Sequence, residues 1–442
     1  MKKAAGGAFK KKGTTPRTAA GSPSIGYSRL ARVLGPGLIT GASDDDPSGI
    51  ATYSQAGAQF GFSITWTLLF IYPLMAAIQE ISGRIGRVTG QGIASNLRAH
   101  YPNWLLQVIV GLVLIANIIN IGADLGAMGD ALGLLISGPK LIYVIAFAFV
   151  CAGLQIFVAY SKYVGVLKWL TLALLAYFGT VMVVNVPWKE AAKGFFIPTF
   201  SSQPDFWITV VAILGTTISP YLFFWQASQE VEEIGAVKER KPLLQAPEQG
   251  PDATERIRLD TYVGMGFSNL VSLAIMVTTA ATLHTAGKVD IQTSSQAAEA
   301  LKPVAGELAF AIFALGIIGT GLLAVPVLAG SAAYALGEAR KWPVGLERKP
   351  LKAKAFYATI AVATGVGMII GFSPIDPIKA LFWSAVINGV VAVPVMTIMM
   401  LMASNSKMMG RFTIGSYLRI VGWIATGVMA VASTIMGASS FW

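Results

Sequence analysis

Three consecutive carboxylates, Asp44, Asp45 and Asp46, stand in the middle of the run VLGPGLITGASDDDPSGIATYSQAGAQF and are followed at once by Pro47, Ser48 and Gly49. Proline removes a backbone donor and crowds the preceding turn, and glycine accepts irregular backbone angles. The stretch before the break, 33–43, would make about 16 Å of helix and the stretch after it, 49–62, about 21 Å. Neither crosses a bilayer core alone, but together they do. The run therefore predicts a discontinuous helix with charged groups at its break. A second run, WITVVAILGTTISPYLFFWQASQEVEE, carries Gly215, Thr216, Thr217, Ser219 and Pro220 at mid-length and predicts a second break. A proline kink repaired by Ser and Thr is the plainer account of that run alone. It is a poor account of the first, because three carboxylates in mid-membrane are costly to bury without a role. Half-helix C-termini offer free carbonyls with partial negative charge. Asp46 adds a full charge, and the combination suits a cation.

Other polar residues lie in runs that are otherwise apolar. Asn117, Asn120 and Asp124, spaced i, i+3, i+7, share one helical face, which in a membrane helix turns to the bundle interior. Such a stripe serves either as an ion or proton path or as interhelical hydrogen-bond glue. Asn388 is a further mid-run amide. Glu230, Glu232 and Glu233 read as a solvated helix end, and Gly316, Gly319 and Gly321 as close helix packing. His100 and His284 both fall near run ends. No metal-ligand His/Cys cluster, phosphate loop or nucleophile–base pair is recognisable, which argues against an enzyme.

The elements that position these residues follow from composition. Of 442 residues, 54% are hydrophobic and 12% charged, with a mean hydropathy of +0.63. Soluble domains carry about 25% charged residues. Apolar runs of span length predict an all-α integral membrane protein, with eleven transmembrane helices at about 33–60, 63–83, 104–136, 141–161, 164–186, 206–232, 260–284, 304–338, 353–371, 378–402 and 415–437. Charge supports this reading. With the N-terminus inside, the outer connections carry only Lys140, Lys189, Lys193, Lys288, Lys302 and Lys379 of the 33 Lys and Arg residues. The net charge of +11 is thus the cytoplasmic excess of a membrane protein rather than a nucleic-acid surface. Residues 1–28 read as a disordered cytoplasmic tail, 233–259 as a cytoplasmic linker, and the C-terminus is expected outside. Cys151, the single cysteine, excludes an intrachain disulfide. The two breaks occupy the first and sixth spans, corresponding positions of two five-span halves. Paired interruptions of this kind point to a transporter's midplane site.

At these two spans the sequence resembles the NRAMP family (natural resistance-associated macrophage proteins), carriers of divalent metals, and the resemblance runs over about residues 30–437. GPGLITGASDDDPSGIATYSQAGAQFGFS and RIGRVTGQGIA look like the family's first two helices. The family's Asp-Pro-Gly-Asn falls on Asp46, Pro47, Ser48 and Gly49, its Met-Pro-His on Ser219, Pro220 and Tyr221, and an acidic residue of its third helix on Asp124. The resemblance implies a LeuT-like 5+5 inverted repeat with discontinuous helices 1 and 6: a first repeat at 29–186, a second at 204–403, and an eleventh helix at 411–437. It implies metal bound between the breaks by Asp46 and the Thr216 carbonyl, with proton-coupled uptake of Mn²⁺ or Fe²⁺ as the usual activity.

The departures redirect that expectation. The family's Asn ligand is Gly49 here, its Met is Ser219, one His is Tyr221, a second His is Gln226, and the acidic partner after Asp124 is Ala127. Oxygen ligands suit Mg²⁺, Ca²⁺ and Mn²⁺, whereas thioethers favour softer metals. The pattern is similar to NRAMP-related magnesium transporters. It implies inward movement of Mg²⁺ and Mn²⁺ by alternating access, without the family's proton route. Asp46, Thr216 and Ser219 would hold the ion, partly through water, Gly49 would give it room, Asp44, Asp45 and Tyr221 would shape the vestibule, and Asn388 is a further candidate ligand. The divalent ion is substrate, no cofactor is expected, and the partners are that ion and the lipid of a bacterial plasma membrane, with no nucleic acid and no obligatory protein. Proton-coupled Mn²⁺/Fe²⁺ transport and ion-coupled symport of an organic solute remain alternatives on the same fold.

Overall fold

Every regular element among the residues described by the computed structural model (41, 44–158 and 170–439) is a helix. In chain order they are α1 Pro47–Phe60, α2 Trp66–Thr89, α3 Ile93–His100, α4 Asn103–Gly133, α5 Lys140–Phe157, α6 Leu175–Val183, α7 Pro204–Thr217, α8 Pro220–Ala236, α9 Gly250–Thr279, α10 Ala309–Ala339, α11 Lys354–Gly371, α12 Pro377–Ser404 and α13 Ser416–Ser439. Short helices, Trp188–Phe196 and Ser294–Ala298 among them, lie between the long ones, where the sequence suggested only connections.

Nine helical stretches among the described residues are long and apolar enough to cross a membrane, α7 and α8 counting as one. They match the second, third, fourth and sixth to eleventh expected spans. The other two, 33–60 and 164–186, run partly through residues outside the described set. The described parts are α1 and α6. The expected tail, 1–28, lies outside that set altogether. Large apolar side chains such as Phe149, Phe157, Met182 and Ile420 stand exposed on the bundle surface. Lipid accepts such a surface; water would not.

The interior is polar where the breaks are. α4 runs against α10, α11 and α12; α7 lies along α12, α8 along α2, and α9 along both α1 and α2. Small residues permit these approaches: a Cβ at Gly215 would overlap the Ala385 carbonyl of α12, and one at Gly321 the Met128 side chain of α4.

The glutamates closing α8 are not a solvated helix end. Glu230 is fully buried against Arg256 of α9. Glu232 accepts from the Tyr334 hydroxyl and from the Leu346 N–H at 2.7 Å. Glu233 pairs with Arg240, and its carboxylate lies 3.4 Å from Arg256. The linker 237–249 is docked rather than loose, because Arg87 of α2 donates to the Lys241 carbonyl and to Gln249, and Leu243 N–H donates to the Arg87 carbonyl. A buried carboxylate stripped of its base costs about 3–5 kcal/mol. Arg256→Ala is therefore expected to lower the unfolding temperature in detergent clearly, and adding Glu230→Gln should recover much of the loss. An Arg256→Ala protein as stable as wild type would show that Glu230 does not depend on the pair.

Candidate functional site

Asp46 sits at the N-cap of α1, with Pro47 at the first helical position, where a missing N–H costs nothing. Its Oδ1 accepts from the Gly49 N–H at 2.8 Å and from the Ser48 hydroxyl at 2.6 Å. Its Oδ2 accepts from Asn120 Nδ2 of α4 at 3.2 Å and from the Tyr221 hydroxyl of α8 at 3.4 Å. One carboxylate thus ties together its own helix, α4 and α8.

The second break has the same local logic. α7 stops at Thr217, Ile218 and Ser219 leave helical geometry, and Pro220 opens α8. Ser219 turns back, donating to the carbonyls of Gly215 at 2.7 Å and Thr216 at 2.8 Å. This is the Ser repair of a proline break, and it places Ser219 Oγ on the same carbonyl edge as Thr216. The two breaks face each other. Ser48 Oγ and Thr216 Oγ1 are 3.3 Å apart, Tyr53 OH and Thr217 Oγ1 3.1 Å, and a Cβ at Gly49 would touch Thr216 Oγ1 at 3.4 Å.

Asp44 and Asp45 turn instead to α9, where Ser268 Oγ lies 2.7 Å from Asp44 Oδ2 and 3.0 Å from Asp45 Oδ1. All three aspartates are less than 5% exposed. None of them forms an ion pair among the described residues. Asp124 and Asn388 are buried too, and among the described residues neither Asp124 oxygen and neither Asn388 amide atom has a hydrogen-bond partner. Asn117 donates to the Leu328 carbonyl of α10 at 3.0 Å, which is the glue reading of that residue. Asn120, three residues on, reaches Asp46.

The structure thus gathers Asp46, Gly49, Thr216, Ser219, Tyr221 and Asn120 about the breaks, sets Asp44 and Asp45 on their α9 side, and leaves Asp124 and Asn388 buried, without hydrogen-bond partners among the described residues. Sequence reasoning named Ser48 and Thr217 at the breaks without giving either a role, and it missed Tyr53 and Ser268. Ser268 could have been found from the four-residue spacing of Gly264, Ser268 and Ser272 on one face of a membrane helix.

Among the described residues no three His, Cys, Asp or Glu side chains converge as a ready chelate. The polar groups at the breaks are carboxylates, hydroxyls, an amide and carbonyls. A cleft of about 370 Å³ opens at the far end of α1 between Gln55, Gln59, Asp205, Thr209, Asp290 and Trp383. Gln55 stands about 12 Å along α1 from Pro47.

Comparison with known proteins fits this arrangement. The sequence matches the family described as natural resistance-associated macrophage protein-like over residues 37–439. A divalent metal cation transporter MntH of Klebsiella pneumoniae (strain 342) is 26% identical over 420 residues, covering 91% of this chain and 94% of that protein. A protein of the same name from Burkholderia ambifaria is 27% identical over 426 residues, covering 91% and 88%. The fold is similar to that of the Eremococcus coleocola manganese transporter, with a TM-score of 0.70 at 16% identity over 95% of this chain and 89% of that one. It is also similar to that of a nucleobase-cation-symport-1 family transporter, with a TM-score of 0.56 at 14% identity over 92% and 93%. The shared fold is LeuT-like, with helices broken at the first and sixth spans. The chain therefore belongs to the natural resistance-associated macrophage protein-like family, whose members are membrane transporters and not enzymes.

Proposed function

We propose that the protein carries divalent metal cations, Mg²⁺ and with it Mn²⁺, inward across a bacterial plasma membrane by alternating access, without obligatory proton coupling. The observation that carries this reading is the all-oxygen character of the facing breaks, where Asp46 is joined by Ser48, Thr216, Ser219 and Tyr221, with neither thioether nor imidazole in the matching family positions. Hard oxygen suits Mg²⁺ and Mn²⁺, and Mg²⁺ keeps several waters when bound. The relatives named for divalent metal or manganese transport support the class of substrate.

Asp46 binds the ion. The Thr216 carbonyl and Ser219 hydroxyl complete part of its shell, Gly49 leaves room for water, and Asp44, Asp45, Tyr221 and Asn388 shape the surrounding field. Asn117, Asn120 and Asp124 form the polar face of α4. The repeats span 29–186 and 204–403, with 411–437 as the eleventh helix, the N-terminus inside and the C-terminus outside. The ion is cargo, no cofactor takes part, and no protein partner is required.

A proton-coupled Mn²⁺ carrier is the second reading, favoured by Asp124, a buried carboxylate whose oxygens lack partners among the described residues. Competition tests the shared hard-ion site. In protein-only liposomes, a tenfold excess of Mg²⁺ is expected to cut Mn²⁺ uptake at least about twofold, as one site that holds two hard ions with comparable affinity gives. Mn²⁺ uptake indifferent to Mg²⁺ would remove Mg²⁺ from the account.

A further inference from the structure

The geometry points to Ser268 of α9 as the positioning residue that sets Asp44 and Asp45 for recognition of the hydrated ion, an inference that rests on the transport reading above. α9 follows the broken first span level by level. A Cβ at Gly41 would overlap the backbone of Gly264, so the two backbone segments touch there. One turn later Ser268 meets both carboxylates. Another turn on, Ser272 donates to the Ser268 carbonyl at 3.0 Å and bonds the Tyr53 side chain. Beyond it, Met276 and Thr279 lie against Gly57 of α1. Residues 264, 268, 272 and 276 recur every four positions, so a single face of α9 carries all these contacts.

Within that face Ser268 has a singular position. Among the described residues it is the one hydrogen-bond donor to either Asp44 or Asp45. A hydroxyl has one hydrogen and donates to one acceptor at a time. When it serves Asp44, Asp45 must be met by something else, and Asp44 Oδ1 has no partner in either case. The pair is thus fixed in place with acceptor oxygen to spare. It lies one and two residues from Asp46, yet its donor comes from α9, whereas those of Asp46 come from its own helix, α4 and α8. A cation that keeps its water reads such carboxylates; one that sheds it reads Asp46 directly.

The test is initial uptake rate against concentration for Mg²⁺ and Mn²⁺ in liposomes holding the full chain, for wild type, Ser268→Ala and Ser268→Thr. Ser268→Ala is expected to raise KM for Mg²⁺ about fivefold or more and for Mn²⁺ less, because Mg²⁺ dehydrates the more reluctantly. Maximal rate should change little beside KM, and Ser268→Thr, which keeps the hydroxyl, should restore KM. Should Ser268→Ala be lost in purification, Ser268→Cys makes the same comparison, with similar size and a weak donor. An unchanged KM without the hydroxyl overturns the inference. So does an equal fall in maximal rate for both ions that Ser268→Thr does not mend, since that is what a packing role alone would give. A wild-type protein that moves neither ion overturns the transport reading instead.

Discussion

Asp46→Ala is expected to leave a folded protein that no longer takes up Mg²⁺ or Mn²⁺, with a loss of about a hundredfold or more, equivalent to roughly 2.7 kcal/mol of ion binding. Among the described residues the carboxylate is the one charged group that the first break, α4 and α8 all reach. Ala removes two things at once, the charge and the N-cap of α1, and losing a cap costs about 1 kcal/mol. It also leaves the hydroxyl of Ser48 and the amide of Asn120 without their acceptor. Asp46→Asn separates the effects. Asn caps helices as well as Asp does, so the Gly49 N–H keeps its partner, while the charge goes and an NH2 in place of Oδ2 no longer accepts from Asn120 and Tyr221. Both variants should fail in uptake, and Asp46→Asn should unfold closer to the wild-type temperature. Full transport by either one would remove Asp46 from the site.

Ser219→Met is expected to turn selectivity toward softer metals, raising uptake of Cd²⁺ and Mn²⁺ relative to Mg²⁺ by about tenfold, or roughly 1.4 kcal/mol. Two changes act together. The thioether is a soft ligand where the hydroxyl was a hard one. The hydroxyl's bonds to the Gly215 and Thr216 carbonyls also disappear, so the Thr216 carbonyl meets the ion with no competing donor. The unrepaired break then costs some stability, read as a lower unfolding temperature. Uptake ratios among Cd²⁺, Mn²⁺ and Mg²⁺ in the same liposome preparation check the prediction. Unaltered ratios would mean that the side chain at 219 does not reach the ion.

The spans and breaks were legible in the sequence because both rest on strong local physics. Twenty-residue apolar runs and the bias of Lys and Arg to one side mark the spans, and Pro47 with three aspartates and Pro220 among hydroxyls mark the breaks. The facing of the breaks was legible only through their equivalent places in two five-span halves. What stayed hidden is pairing across long separations, which leaves no periodic trace. Arg256 reads as a loop charge until α9 is seen to begin at Gly250 and carry it to Glu230. Ser268 reads as one of several hydroxyls in an apolar run until the break of the first span is laid against it. Asp124 was marked as acidic and buried, but its lack of a hydrogen-bond partner among the described residues belongs to the tertiary arrangement alone.

The oxygen ligands gathered at the breaks and the absence of imidazole at the matching family positions underlie the proposal that a hard, partly hydrated divalent ion crosses without a proton. The direct measurement is uptake of Mg²⁺, Mn²⁺ and Ca²⁺ into liposomes containing this protein alone, with lumenal pH recorded in the same vesicles. The account predicts Mg²⁺ and Mn²⁺ entry with no acidification. Mn²⁺ entry that excludes Mg²⁺ and acidifies the lumen would contradict it.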